Sequence, residues 1–267
     1  MFLIVLLLII LFFWLLLVFY STETKIVTQS LSGIKRALVI FPHPDDEVLS
    51  CGGTIRLLQK QGAKVTLAVL TKGECGTKDG TASLELANVR VNEMRQSAKI
   101  LRVDRLLIEN FGDGRLVRKK QRVQKYLETL LKETNPDLVI TYDLSGLYGH
   151  EDHIAASELV TDLYQKAWSE KARLWYVSLP QRILDRIQLP IHMAKDPQFS
   201  KRRKLPDRKV LVASEQVAKI RAFWAHKSQH EGFRSSLPLC RIVPAEFFYS
   251  ARIYEYFYEV TVPPIAR

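Results

Sequence analysis

The sequence predicts an α/β fold: helices cover both faces of a mostly parallel sheet, and an apolar helix precedes it. Three observations lead there. Short runs rich in β-branched residues alternate with stretches of helical spacing from Arg36 onward. Such alternation implies strand–helix–strand units and a parallel sheet. Polar segments containing His, Asp and Gly follow the strand ends, where parallel sheets carry their sites.

The elements follow in order. Met1 to Tyr20 contains no charged residue, no Gly and no Pro. A helix of that length is about 30 Å long, enough to cross a hydrocarbon core. A cleavable signal peptide shows a basic start and a small-residue cleavage site. Nothing basic precedes this run, which ends in Val18-Phe19-Tyr20, so it reads as an uncleaved anchor over 1–20. The polar residues 21–35 read as a tether, and 36–267 as one large domain. Lys25, Lys35 and Arg36 follow the apolar run, so the positive-inside rule predicts a single-pass protein with a cytoplasmic domain.

Within the domain, strands are predicted at Arg36–Phe41, Lys64–Leu70, Asp104–Ile108, Asp137–Tyr142 and Leu174–Leu179, with a terminal one at Arg252–Val260. Helices are predicted at Glu47–Gln61, Leu84–Leu101, Val117–Thr134, Ile154–Trp168 and Ser214–Gln229. Gly62 and Pro136 stand where helices stop.

The formal net charge is +11. The basic clusters Arg118-Lys119-Lys120 with Arg122, and Lys201 to Lys204, read either as solvated faces or as attraction to anionic lipid headgroups beside the anchor. No nucleic-acid motif accompanies the charge, and no nucleic-acid partner is expected. Cys51, Cys75 and Cys240 are odd in number and lack close spacing, which excludes a disulfide framework or a cysteine zinc site.

Two segments carry chemistry. Pro42-His43-Pro44-Asp45-Asp46-Glu47 follows the first strand, and Tyr148-Gly149-His150-Glu151-Asp152-His153 follows the fourth. A catalytic zinc takes three protein ligands and keeps one position open. His43 and Asp46, three apart, can point to one spot, and His153 can reach it from the other strand end. Fe(II) accepts the same two histidines and carboxylate. Asp45 is then free to act as general base. His150 remains as a second acid or base, with Asp152 placed to fix its tautomer and Tyr148 as a hydrogen-bond donor. Taken singly, the first segment also reads as an acidic helix N-terminus with Pro44 in its first turn, and His150 and Asp152 as capping or surface residues.

These residues resemble the PIG-L/LmbE family of zinc-dependent N-acetylglucosaminyl de-N-acetylases. The HPDDE signature stands at His43–Glu47 and a GHxDH signature at Gly149–His153. Thr71-Lys72-Gly73-Glu74, Arg90 to Glu93, Phe111-Gly112-Asp113-Gly114 and Ala225-His226-Lys227-Ser228-Gln229 are similar to further family segments. The resemblance implies a Rossmann-like fold, with His43, Asp46 and His153 as zinc ligands. It further implies Asp45 as base, His150 with Asp152 as the acid pair, and Arg90 and Asp113 as contacts to the sugar or its anionic aglycone. It implies removal of acetyl from an N-acetylglucosamine-type conjugate, lipid-linked or anionic given the anchor and the basic surface. The rivals are a metal-dependent hydrolase of another amide or a phosphoester, and a membrane-tethered sugar or lipid binder. Gln181 to Asp207, with Pro190, His192 and Pro197, matches no family pattern and is expected near the mouth of the site.

Overall fold

The computed structural model of the chain describes residues 1–77, 79–168, 170–186, 198–236 and 244–261. Cys240, Pro190, His192 and Pro197 lie outside them. The chain opens with α1 (Phe2–Ser21), then β1 (Val27–Thr28), β2 (Arg36–Phe41), α2 (Asp46–Ser50) and α3 (Gly52–Lys60). Next come β3 (Lys64–Val69), α4 (Leu84–Leu101), β4 (Arg105–Ile108), α5 (Lys120–Thr134) and β5 (Leu138–Tyr142). The order continues with α6 (Gly146–Gly149), α7 (Glu151–Leu163), β6 (Arg173–Ser178), α8 (Gln181–Leu184), β7 (Arg208–Leu211) and α9 (Gln216–Ala225). It ends with α10 (His230–Ser236), α11 (Ala245–Ala251) and β8 (Tyr254–Glu259).

The strands form one sheet in the order β1-β7-β8-β6-β5-β2-β3-β4. Only β8 runs antiparallel to its neighbours, β6 and β7. The chain therefore has the expected α/β fold. β2 is buried from Ala37 to Phe41 and β5 along its whole length, as a central strand covered on both faces requires. One core layer joins the sheet to α2, α3, α4, α9 and α11 through Val48, Ile55, Met94, Phe223 and Tyr249. The opposite layer joins it to α5 and α7 through Leu127, Leu130, Ala156 and Val160.

β2 pairs with β5 on one side, Ala37 opposite Leu138, and with β3 on the other. The winding reverses between β2 and β5, because β3 and β4 follow outward on one side and β6 on the other. That reversal point is where open parallel sheets form clefts. It brings the residues after Phe41 beside those after Tyr142.

The sheet has two strands more than predicted, β1 and β7, and two further departures bear on the site. The helix expected over Glu47–Gln61 breaks at Cys51, which has φ −149° and ψ 24°. The residues expected as a tether fold onto the domain: β1 pairs with β7, and the Glu23 amide donates to the Tyr256 hydroxyl. Cys51 is buried and Cys75 partly so, and both are free thiols.

The start of α3 depends on the far end of the chain. The Glu255 carboxylate accepts from the Gly53 amide at 2.9 Å and from the Thr54 amide and hydroxyl at 2.7 Å each. It thereby satisfies donors that a helix start leaves open. Lys219, 1 % exposed, stands 3.6 Å away. Burial lowers Lys219 to about 8, against the pull of Glu255. Glu255→Ala is expected to lower stability by about 3–5 kcal/mol, read from the midpoint of denaturant unfolding, since it strips a buried countercharge and a helix cap together.

Candidate metal centre

Both motif segments leave parallel strands and turn into helix starts, so their side chains face one cleft. Asp45 has φ 98°, an uncommon left-handed backbone for a non-glycine residue. Its amide donates to Glu47 Oε2 at 3.1 Å, which holds the turn. Gly146, at φ 62°, lets the second segment come close: a Cβ there would stand 2.8 Å from the His153 Cβ.

The three predicted ligands converge. His43 Nδ1 lies 3.1 Å from His153 Nε2, and the Asp46 carboxylate lies 3.7 Å from the first and 3.5 Å from the second. Donors of a tetrahedral zinc, bonded at about 2.0–2.1 Å, stand about 3.3 Å apart. The outer contacts fix the tautomers. His43 Nε2 faces Asp113 Oδ1 at 2.9 Å and Asp152 Oδ2 at 3.2 Å. His153 Nδ1 faces the Gly146 carbonyl at 3.2 Å. Each neutral ring then carries its proton on the outer nitrogen and turns a lone pair toward the other ring. Ligating histidines are oriented in this way by outer acceptors. Asp46 is held by the Tyr142 hydroxyl at 2.8 Å and the His43 amide at 2.9 Å.

The pocket calls for positive charge. Burial pushes His43 down, but Asp113, Asp152 and Asp46 outweigh it and hold the imidazole well above its ordinary value. A divalent cation satisfies the same carboxylates, so the residues present fit a metal. Two sets bring one donor atom from each residue within 4.8 Å of one another, His43 with His150 and His153, and His43 with Asp113 and Asp152, whereas Asp46 meets the two rings through different carboxylate oxygens. His43 meets Asp113 and Asp152 through Nε2 and leaves Nδ1 on the side of His153 and Asp46.

Asp45 lies beside this set with its side chain 19 % exposed, 3.4 Å from the Arg90 guanidinium. Burial and the neighbouring Asp46 raise its carboxyl to about 6, against the pull of Arg90. The His150 ring lies 4.7 Å from that of His43 and 4.9 Å from that of His153. Burial, with His43 and His153, holds His150 well below its ordinary value. Tyr148 stacks obliquely 4.9 Å from His153, and burial with Asp46 and Asp45 holds its phenol well above its ordinary value.

Asp152 differs from expectation. Its carboxylate accepts from the Gly114 amide at 2.7 Å and the Leu116 amide at 3.0 Å, as well as meeting His43. His150 Nδ1 instead accepts from the Asp152 backbone amide at 3.2 Å. In the first turn of α7 the side chain points across to the loop after β4, and only the amide reaches back two residues. Asp152 therefore orients His43, and backbone orients His150. Asp152→Asn is expected to weaken metal binding about 10–100-fold, the usual effect of losing an outer acceptor, measured by competition with a chelating dye.

Arg90 and Asp113 are built into the walls. Arg90 is buried, donating to the Gly73 carbonyl at 3.0 Å and to the Pro44 carbonyl. Asp113 uses Oδ2 for the Cys75 amide at 2.9 Å. Three partners were not foreseen. Glu47 joins Asp45 to His226 Nε2 at 2.8 Å and to Ser97. Tyr142 braces Asp46, and Glu74 accepts from the Asp113 amide at 2.9 Å. Glu47 stood within the signature, and Tyr142 ended a strand at the cleft; both were legible signals.

Residues 38–164 match the PIG-L family, described as GlcNAc-PI de-N-acetylase. The diacetylchitobiose deacetylase of Thermococcus kodakarensis is 37 % identical over 129 residues, 48 % of this chain and 48 % of that protein. The 1D-myo-inositol 2-acetamido-2-deoxy-alpha-D-glucopyranoside deacetylase of Corynebacterium glutamicum is 31 % identical over 183 residues, 60 % of this chain and 61 % of that protein. The chain thus spans between about half and three-fifths of the length of these relatives. In fold, it is similar to the inhibitor-bound N,N'-diacetylchitobiose deacetylase of Pyrococcus horikoshii, with a TM-score of 0.61, 23 % identity and 88 % of each chain covered. Both motifs and every side chain predicted for the site fall within the matched residues 38–164.

Proposed function

We propose that this chain is a metal-dependent amidohydrolase that removes acetyl from an N-acetylglucosamine-type conjugate, with α1 as a single-pass membrane anchor and the domain on the cytoplasmic side. One observation carries the catalytic reading: two imidazole nitrogens and the Asp46 carboxylate meet within 3.7 Å, with Asp45 beside them on the more open side. A zinc or ferrous ion would be held by His43, Asp46 and His153, and would supply Lewis acidity to the acetamide carbonyl and make a nearby water more acidic.

The side chains divide the remaining work. Asp45, with its carboxyl at about 6, is ionised at neutral pH and takes a proton from the attacking water. The new C–O bond pushes the carbonyl electrons onto oxygen. His150 is neutral and accepts at Nδ1, so Nε2 carries a proton for that oxyanion. Tyr148 stays protonated and offers a second donor. When the C–N bond breaks, Asp45 returns its proton to the amine, and acetate and a free amino sugar leave. Arg90, held on two carbonyls, keeps the Asp45 carboxylate in place.

The apolar α1 and the +11 charge favour a lipid-linked or anionic conjugate, such as an N-acetylglucosaminyl phosphatidylinositol or a bacterial glycolipid. The relatives that act on diacetylchitobiose and on an inositol-linked acetamido sugar support the sugar class. The test is acetate release from a panel of N-acetylglucosamine conjugates, beside phosphoesters, with and without chelator. Release of acetate that stops with chelator and returns with Zn²⁺ is expected. Phosphoester hydrolysis without acetate release sinks the reading.

A further inference from the structure

The last turns of α1 are packed against the domain. Trp14 donates to Ser250 Oγ at 2.9 Å, Leu17 packs against the Ala245 and Phe248 cluster, and Ser21 Oγ donates to the Ala251 carbonyl at 3.0 Å. The Tyr20 hydroxyl donates to the Arg182 carbonyl at 3.3 Å. Met1 to Phe13 are all exposed. The docking elements share one end of the sheet. α8 follows the carboxyl end of β6, and α11 leads into Tyr254, which pairs with Leu211 at the carboxyl end of β7. α11 also meets the helix that follows β2, through Tyr249 on the Val48 carbonyl. The metal centre opens at this same end.

That end carries exposed apolar residues beside basic ones. Leu84, Val117 and Trp224 are 77 %, 49 % and 45 % exposed. Leu84 starts α4 after β3, Val117 precedes α5 after β4, and Trp224 lies in the last turn of α9, two residues before His226, which meets Glu47 at the cleft. Arg115, Arg118 and Lys227 are exposed there too. Apolar and aromatic side chains interleaved with cations suit a boundary between hydrocarbon and anionic headgroups.

We propose that this end of the domain seats on the surface of the bilayer that α1 enters, with Leu84, Val117 and Trp224 at the headgroup level and Arg115, Arg118 and Lys227 on anionic phospholipid. The docked helix acts as a strut that fixes the tilt, and the cleft opens onto headgroups. The proposal rests on the reading of α1 as an anchor. It is tested without turnover, so its failure is distinct from failure of the amidase reading. The full chain is reconstituted in phosphatidylcholine vesicles with and without phosphatidylserine. A ketone-bearing residue coupled to a nitroxide replaces Leu84, Trp224 or Val217 in turn; Val217 is 72 % exposed at the opposite end of α9. Labels at 84 and 224 are expected to gain oxygen and lose nickel-chelate accessibility relative to 217, more so with phosphatidylserine. Arg115→Glu with Arg118→Glu should reduce that contrast. Equal, aqueous accessibility at all three positions overturns the proposal, as does a chain that fails to float with vesicles.

Discussion

Asp45→Asn is expected to lower the turnover number about 10²–10⁴-fold, the range a positioned general base contributes. The amide fills the same volume but cannot take the water's proton. The metal should stay bound, because the proposed ligands are His43, Asp46 and His153, and Asp45 is not among them. The pair of readings is therefore acetate release and metal content of the same preparation. Full turnover in the variant removes Asp45 from the mechanism. Lost turnover together with lost metal makes it a ligand instead of a base.

The second large effect is on metal content itself. His153→Ala deletes one of two imidazole donors and also the ring that stacks on Tyr142, 4.3 Å away at 7°. The loss of affinity should exceed the about 10–100-fold expected for an outer partner, leaving the purified protein substoichiometric in metal and inactive. His150→Ala is the informative contrast. If Asp46 completes the set, His150→Ala keeps its metal and loses turnover. If His150 is a ligand, both variants lose metal alike. Metal analysis after dialysis against a weak chelator separates the two.

Much of this centre was legible in the sequence because its parts are local. The strand before each motif is a compact apolar run, and α4 falls on Leu84–Leu101 as predicted. Ser83 caps it by accepting from the Leu86 amide at 3.1 Å, and Arg102 ends it in a left-handed turn. The pairing of β2 with β5 then follows from the topology of parallel sheets. What was not legible is long-range. Asp152 lies two residues from His150, so the sequence suggested that they touch; its partners, Gly114 and Leu116, come from the loop after another strand. The edge strand Val27–Thr28 is two residues long and leaves no periodic trace. Glu255 gives no hint, in an aromatic-rich run, that it serves a helix start more than 200 residues earlier.

That last contact has a consequence for biosynthesis. The helix it caps begins immediately behind the first motif, yet its carboxylate partner is 202 positions downstream. While the ribosome still holds the final strand, the emerging polypeptide already contains His43, Asp46 and His153 but has no anion under Gly53 and Thr54. Contacts so distant along the chain form slowly. Between the synthesis of His153 and that of Glu255, then, the nascent molecule is unfinished, because its closing strand has still to enter between β6 and β7.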